Sequence, residues 1–334
     1  MILFAHPGLT KIDISMTFRA DRRNNSYKAV KRATGFSTRP HGESPIVPVH
    51  KRANAEMVTI EQRVRRLRLL RYRTFWFPSC AQAAEISESL RPDDVVRFFA
   101  VSPALHSPRH LVDYYKFDTL WISLSAGPEA VLNGVKRKSC RYEIRRAEKM
   151  LDRVAIEIGS EKANRDFLKV YNGFTRAKGL PGLRPRWIQD NSAHCETLVL
   201  YLDGQPLCSH VMLRDPETGI VRLLYSGSRR LESPERSAAC GTLNRYLHWH
   251  EMQRYYAQGF LTFDFGGLGR PESISRFKLS FGGAVRPQHF YLLSGLHWVA
   301  KLGKLVIEQI LRRRTFKPAA KGSYENPEEA AHLT

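Results

Sequence analysis

The stretch FDFGGLGRPESISRFKLSFGG, Phe263 to Gly283, decides the fold. A short alternating apolar run ends at Asp264, which points to a strand. Gly266 and Gly267 follow, where bare backbone lets a ligand or another chain segment come close. ESISRFKLS then reads as a short helix, with Phe277 and Phe281 four residues apart on one stripe. Lys278 lies one step off that stripe, at the edge of whatever the stripe covers. A second Phe-Gly-Gly closes the unit.

Upstream and downstream runs extend the pattern. DTLWISLS is a strand, and PEAVLNGVKRKSCRYEIRRAEKM reads as one long basic helix running through Gly134. VAIEIGS is a strand, and Ser160 is placed to cap a helix that stops at Gly179. Residues 186–194 suit a second, shorter helix. ETLVLYL, PLCSHVMLRD and IVRLLYSGS are strands joined by the Asp203–Gly204 turn and by PETG, a meander. GTLNRYLHWHEMQRYYAQG is a helix, LTFDF a strand, VRPQHFYLL a last strand, and GLHWVAKLGKLVIEQILRRR a basic amphipathic helix. Nearer the start, DDVVRFFAVSP is a strand ended by Pro103. VTIEQRVRRLRLLRYRTFWF reads either as a basic amphipathic helix or as an arginine-rich strand, and a solvated helix capping the core is preferred.

Strand, two helices, a three-stranded meander, helix, strand, helix, strand is the order of a GNAT-type acyltransferase domain. Two motifs sharpen the likeness. RYEIRRAEKM, Arg141 to Met150, resembles the basic helix that precedes the acyltransferase domain in FemAB-type enzymes. FDFGG followed by RFKLSFGG, Arg276 to Gly283, resembles that family's Y-D-F-G-G … R-F-K-x-x-F-G-G signature. The chain is therefore identified over about residues 115–295 as a member of the FemAB-like branch of the GNAT superfamily. The resemblance implies an α/β fold with a mixed, mostly antiparallel central sheet flanked by helices, here with a basic N-terminal extension. It implies N-acyl transfer to an amine. FemAB proteins add amino acids from aminoacyl-tRNA to peptidoglycan precursors, and single-domain relatives are assigned acyl-CoA-dependent transfer. Acyl-CoA is thus the expected co-substrate, with aminoacyl-tRNA the second choice. Where GNAT enzymes carry a glycine-rich pyrophosphate loop, this chain has ERSAACGTLNR, with Gly241 as its one glycine.

Candidate residues follow from what amide formation needs: a neutral amine, a polarised carbonyl and close placement. Asp264, at a strand end, can act as base or orienter, although capping the following turn or pairing with a core arginine is the role Asp more often fills there. Lys278 can hold a phosphate or face the oxyanion of a tetrahedral intermediate, and Arg276 can assist. The helix start in SAACGTLN places Ser237, Gly241 and Thr242 where free N–H groups would meet a pyrophosphate. Arg229, Arg230 and Ser228, at the end of the meander, point to the same region. Asn244 and His248 share a helix face and, with Gly266 and Gly267, complete the expected substrate contacts. HWHE is not H-E-x-x-H, and its two histidines face different ways on a helix, so no metal site is expected.

The chain of 334 residues has a formal net charge of +21. Residues 1–75 hold 16 Lys/Arg against 5 Asp/Glu, and the rest 37 against 27, so half the excess sits in the first quarter. Such a field favours anionic partners, whether nucleic acid, a nucleotide, an anionic small-molecule or lipid-linked acceptor, or an anionic membrane surface. Cys80, Cys140, Cys195, Cys208 and Cys240 are scattered and odd in number, which fits free thiols in a reducing compartment. No apolar run approaches the roughly 18 residues of a membrane span, and MILFAHPGL lacks a basic leader. The expectation is a cytoplasmic protein, peripheral at the inner membrane face. The expected organisation is a basic, disordered segment over 1–55, an extension over 56–115, the acyltransferase domain over 116–295, a basic helix over 296–314 and a disordered tail over 315–334. A nucleic-acid-binding or membrane-surface adaptor on a degenerate acyltransferase fold is the rival reading.

Overall fold

Two helical crossovers set the topology, because a parallel neighbour cannot be reached through a tight turn. The computed structural model describes residues 59–63, 71–135, 138–268, 272–303 and 305. In chain order the strands are β1 (Thr59–Arg63), β2 (Arg71–Trp76), β3 (Asp94–Val101), β4 (Leu111–Ser123), β5 (Val154–Ile158), β6 (Cys195–Leu202), β7 (Gln205–Asp215), β8 (Ile220–Ser228), β9 (Thr262–Leu268) and β10 (Ala284–Ser294). The helices are α1 (Cys80–Glu88), α2 (Pro128–Gly134), α3 (Lys138–Glu148), α4 (Glu161–Ala177), α5 (Pro185–Asp190), α6 (Pro234–Ala257) and α7 (Glu272–Leu279). One sheet runs β1-β2-β3-β10-β4-β9-β8-β7-β6-β5. Its pairs are antiparallel except β2–β3 and β8–β9, which α1 and α6 join. The expected mixed, mostly antiparallel sheet flanked by helices is what the chain forms.

Helices cover the two faces separately. On one face α2, α3 and α6 bury Val131, Ile144, Leu243 and Leu247 against Leu120, Val221, Phe263 and Phe265. On the other, α4 and α5 bury Phe167, Tyr171 and Ile188 against Val199, Val211 and Trp76. A third cluster packs Ala83 of α1 on Phe75, Phe98 and Tyr291. Fully burying one such aromatic or aliphatic side chain contributes about 1.5–3 kcal/mol, so the apolar alternation of the strands fixes which face each residue takes.

Several expectations need correction. The stretch from Val58 gives strands β1 and β2 in its described parts, not a helix; β2 finds a parallel partner in β3 that no local pattern announces. The helix expected over 128–150 is two, because α2 ends at Gly134 and Val135 is extended. Gly282 sits against that break: a Cβ there would meet the Gly134 carbonyl oxygen at 2.9 Å. Helix α1 was not expected, although Ser79 and Gln82 form a full capping box at its start. Helix α5 stops at Asp190, short of His194. Strand β4 begins at Leu111, earlier than DTLWISLS suggests. The segments 1–55 and 315–334 lie outside the described residues, as does most of the helix expected over 296–314; residues 297–303 of it are helical.

Candidate active site

Strands β8 and β9 pair only from Ile220↔Thr262 to Arg222↔Asp264, and then part. The cause is local. Between Asp264 and Gly267 strand β9 has one residue more than its partner β4, which pairs Trp121 with Asp264 and Thr119 with Gly267. A bulge bends the strand that carries it. Gly266 adopts φ +71° there, a left-handed conformation that glycine takes at no steric cost. A Cβ on Gly266 would also lie 3.1 Å from the Leu223 carbonyl oxygen. The β8–β9 pairing thus ends where the bulge begins, and the interval between the two strands beyond it is the wedge. The second glycine pair serves contact: Gly283 has φ +83°, and its Cβ would strike the Trp121 carbonyl oxygen at 2.5 Å.

At the apex of the wedge lies a buried ion pair. Arg222 Nη1 donates to Asp264 Oδ2 at 2.8 Å and to Gln288 Oε1 at 2.7 Å. Gln288 Nε2 donates to the same Asp264 oxygen at 3.2 Å, and the Gly266 N–H donates to Oδ1 at 2.7 Å. The guanidinium also lies 5.3 Å from the Trp76 ring centre and 5.8 Å from that of Phe117. Asp264 is fully buried. A carboxylate holding a guanidinium, an amide and a backbone N–H, without solvent access, is closed to an incoming amine. The expectation of Asp264 as base is therefore corrected: it is the counter-ion of Arg222 and the cap of the bulge.

Lys278 of α7 reaches back over the opening, and its Nζ donates to the Gly267 carbonyl at 2.8 Å. Burial pushes its ammonium down to about 8; Arg222 adds to this and Asp264 opposes it. Arg276, on the same helix, is exposed and pairs with Glu272 at 2.9 Å one turn earlier. It does not face the wedge.

The anion site moves relative to its expected place. Helix α6 starts at Pro234, and the Ser233 side chain caps it by accepting from the Arg236 N–H. Ser237, Gly241 and Thr242 therefore lie inside the helix. The Ser237 N–H is spent on the Ser233 carbonyl, the Gly241 carbonyl accepts from Arg245, and the Thr242 hydroxyl donates to Glu143 of α3. None offers a free helix-start N–H. The start itself borders a cleft of about 160 Å³ lined by Lys169, Gly173 and Phe174 of α4 and by Ser228, Arg229 and Glu232. Arg229 Nε donates to Glu232 at 2.7 Å. Lys178 is pushed down by burial and by the nearby positive charge of Arg230. Lys169, Lys178, Arg229 and Arg230 thus gather positive charge at the wide end of β8.

Asn244 and His248 belong to a buried network with His210 of β7 and Glu251 of α6. His210 Nδ1 meets Glu251 Oε1 at 2.6 Å, His248 Nδ1 meets Oε2 at 3.0 Å, and His210 Nε2 lies 3.0 Å from Asn244 Oδ1. The imidazoles stack at 4.3 Å. Burial drives His248 down to about 4, so its ring is neutral at pH 7. Burial pushes the Glu251 carboxyl up, but the charges and hydrogen bonds of the two histidines outweigh it and hold it at about 2. The ligand atoms of His210, His248 and Glu251 lie within 4.8 Å of one another, a spacing that suits a cation. Each carboxylate oxygen already has a ring nitrogen as partner, so hydrogen bonds alone account for the trio.

The structure thus brings Gly266, Gly267, Asp264 and Lys278 together at the wedge, and Ser228 and Arg229 at the cleft. Arg222, Gln288, His210, Glu251 and Trp76 escaped the sequence. Arg222, a lone arginine inside IVRLLY, was the one available signal, since a charge in a buried strand needs a partner.

Residues 135–279 match the family model described as an acetyltransferase (GNAT) domain. No curated protein matches the sequence. Among solved structures, FemX is similar over 70% of this chain and 83% of its own, at 11% identity and a TM-score of 0.50, and shares the fold. L-PGS from Bacillus licheniformis is similar over 73% of this chain and 84% of its own, at 12% identity and a TM-score of 0.45. N-myristoyltransferase from Saccharomyces cerevisiae, with bound myristoyl-CoA, is similar over 60% and 53%, at 11% identity and a TM-score of 0.36. Among the described residues no helix is long and apolar enough to cross a membrane.

Proposed function

We propose that the chain transfers an acyl group from acyl-CoA to an amine on an anionic, envelope-related acceptor. The observation that carries this reading is the wedge between β8 and β9, with Lys278 on its wall and positive charge at its wide end. The thioester arm lies along β8 beyond Arg222, past the last residue that pairs with β9. The pyrophosphate lies near the start of α6 with Arg229 and Arg230, where helix dipole and guanidinium groups favour negative charge.

The neutral amine attacks the thioester carbonyl, and the tetrahedral intermediate places its charge on the carbonyl oxygen. The Lys278 ammonium stabilises that oxyanion; with its titration near 8 it is mostly charged at pH 7 and gives up its charge above that. The carbon–sulfur bond then breaks, the thiolate leaves, and the proton shed by the amine goes to solvent or to the thiolate. Asp264 acts through Arg222, by keeping the apex rigid. The acceptor approaches on the α4 face, where the partly buried Trp121 and Tyr225 present ring surfaces.

The test is thiol release from acetyl-CoA and longer acyl-CoAs in the presence of a panel of anionic amines, amino sugars among them. Amine-dependent release that falls at least tenfold in Lys278→Ala supports the reading. Release that is independent of amine contradicts transfer to an amine, and release unchanged in the variant removes Lys278 from the mechanism.

A further inference from the structure

After β10 the chain turns through Gly295 and enters a helical segment, residues 297–303, whose apolar side faces water. Trp298 is 61% exposed, Leu302 57% and Leu305 61%, with Leu296 and Val299 exposed beside them. Positions 298, 302 and 305 are spaced i, i+4, i+7, so they form one stripe. Scattered exposed apolar residues need no explanation, but a contiguous stripe containing a tryptophan does.

The stripe is held to the fold. The Gly295 backbone packs so tightly on Arg91 that a Cβ would overlap the Arg91 carbonyl oxygen, and the His297 ring meets His110 edge-on at 5.2 Å. This places exposed Arg91 and Arg109 beside the root of the segment, with exposed Lys301 on it. Along the sequence, positions 301–317 carry Lys301, Lys304, Arg312, Arg313, Arg314 and Lys317 against the single acid Glu308.

We propose that this stripe docks the protein on an anionic phospholipid surface, with Trp298, Leu302 and Leu305 entering the headgroup–acyl boundary and Arg91, Arg109 and Lys301 lying over lipid phosphates. Charge decides the occupant. An apolar stripe rimmed by cations on a chain of net charge +21 complements anionic lipid, and it repels a second copy of itself. Indole suits the interface, since its ring is apolar and its N–H polar, and lysine stems reach past apolar neighbours to the headgroups. The inference names a surface partner for the proposed anionic acceptor, yet it stands on the exposed helix alone and can fail or hold independently of acyl transfer.

The test is co-sedimentation of the full chain with unilamellar vesicles of phosphatidylcholine containing 30% phosphatidylglycerol, and of phosphatidylcholine alone. Binding to the anionic vesicles is expected at least tenfold tighter than to the neutral ones. It is expected to weaken at least tenfold in Trp298→Ser/Leu302→Ser and in high salt, with unchanged circular dichroism and melting midpoint. Charge reversal at Arg109→Glu/Lys301→Glu, which leaves the stripe intact, is expected to weaken it as well. Equal binding by the Trp298→Ser/Leu302→Ser variant overturns the proposal, as does absence of binding by the wild type. So does sedimentation equilibrium showing a dimer that the same variant dissociates, since the stripe would then cover a second copy.

Discussion

Asp264→Asn separates the structural role of this residue from a catalytic one. In the native chain its carboxylate neutralises a guanidinium that is itself nearly excluded from water and takes three donors in all. The asparagine keeps the shape but removes the charge and turns one acceptor into a donor facing Arg222 and Gln288. Breaking a buried ion pair from one side costs about 3–5 kcal/mol, because the remaining charge stays buried and unpaired. For a fold of this size each kcal/mol moves the midpoint by about 2–4 °C, so a fall on the order of 10 °C is expected in a thermal melt. The double variant Arg222→Met/Asp264→Leu removes both charges and is expected to recover most of that loss. Activity should fall with folded fraction and return when the assay is cooled. If Asp264→Asn melts within about 2 °C of wild type while turnover drops a hundredfold with substrate bound normally, the ion-pair account is refuted and Asp264 is the base.

Other outcomes follow from the same geometry. Wild-type turnover should decline above pH 8, where the Lys278 ammonium titrates, and in Lys278→Met that decline should be absent; a pH–rate profile reads it. His248 is neutral in the fold with its titration lowered from an ordinary 6.5 to about 4, so the unfolded chain binds the extra proton between those values. Stability should therefore fall as pH drops from 6.5 to 4, and urea midpoints of His248→Gln should fall less over that window. Gly241 lies inside α6 with open space around its missing side chain, so Gly241→Ala should raise stability by about 0.5–1 kcal/mol. Gly283→Ala should lose at least about 2 kcal/mol, since the new Cβ meets the Trp121 carbonyl oxygen in a left-handed conformation.

The order of elements from β5 to β10 was readable because each has a strong local signature: the Asp203–Gly204 turn, the Ser160 cap, the alternation of β6 and β7. Helix α1 carried an equally local signal in Ser79 and Gln82, and it went unread. What failed was non-local. Whether VTIEQRVRRLRLLRYRTFWF becomes strand or helix depends on β3, which supplies the hydrogen-bond partners of β2. Helix α6 starts at Pro234 with Ser233 as its cap, seven residues before the Gly241 start that the sequence suggests, so three anion-site assignments fall inside the helix. Asp264 shows the same limit at the level of chemistry. Its place at a strand end suits a base, and only Arg222, 42 residues away in sequence, decides that it is a counter-ion. The placement of Lys278 beside Gly267 was legible because its position one step off an apolar stripe is itself local.

The most direct test of the donor site is a calorimetric titration of the full chain with acetyl-CoA and longer acyl-CoAs, repeated on Ser226→Trp. Ser226 sits on β8 opposite His210, four residues beyond the last pairing with β9 at Arg222, so an indole there adds bulk beside the wedge and away from the Arg222–Asp264 pair in the strand. Saturable binding at micromolar levels in wild type, lost in a folded Ser226→Trp, is the predicted result. No binding to any acyl-CoA, or equal binding by both proteins, would contradict a thioester donor held between these strands.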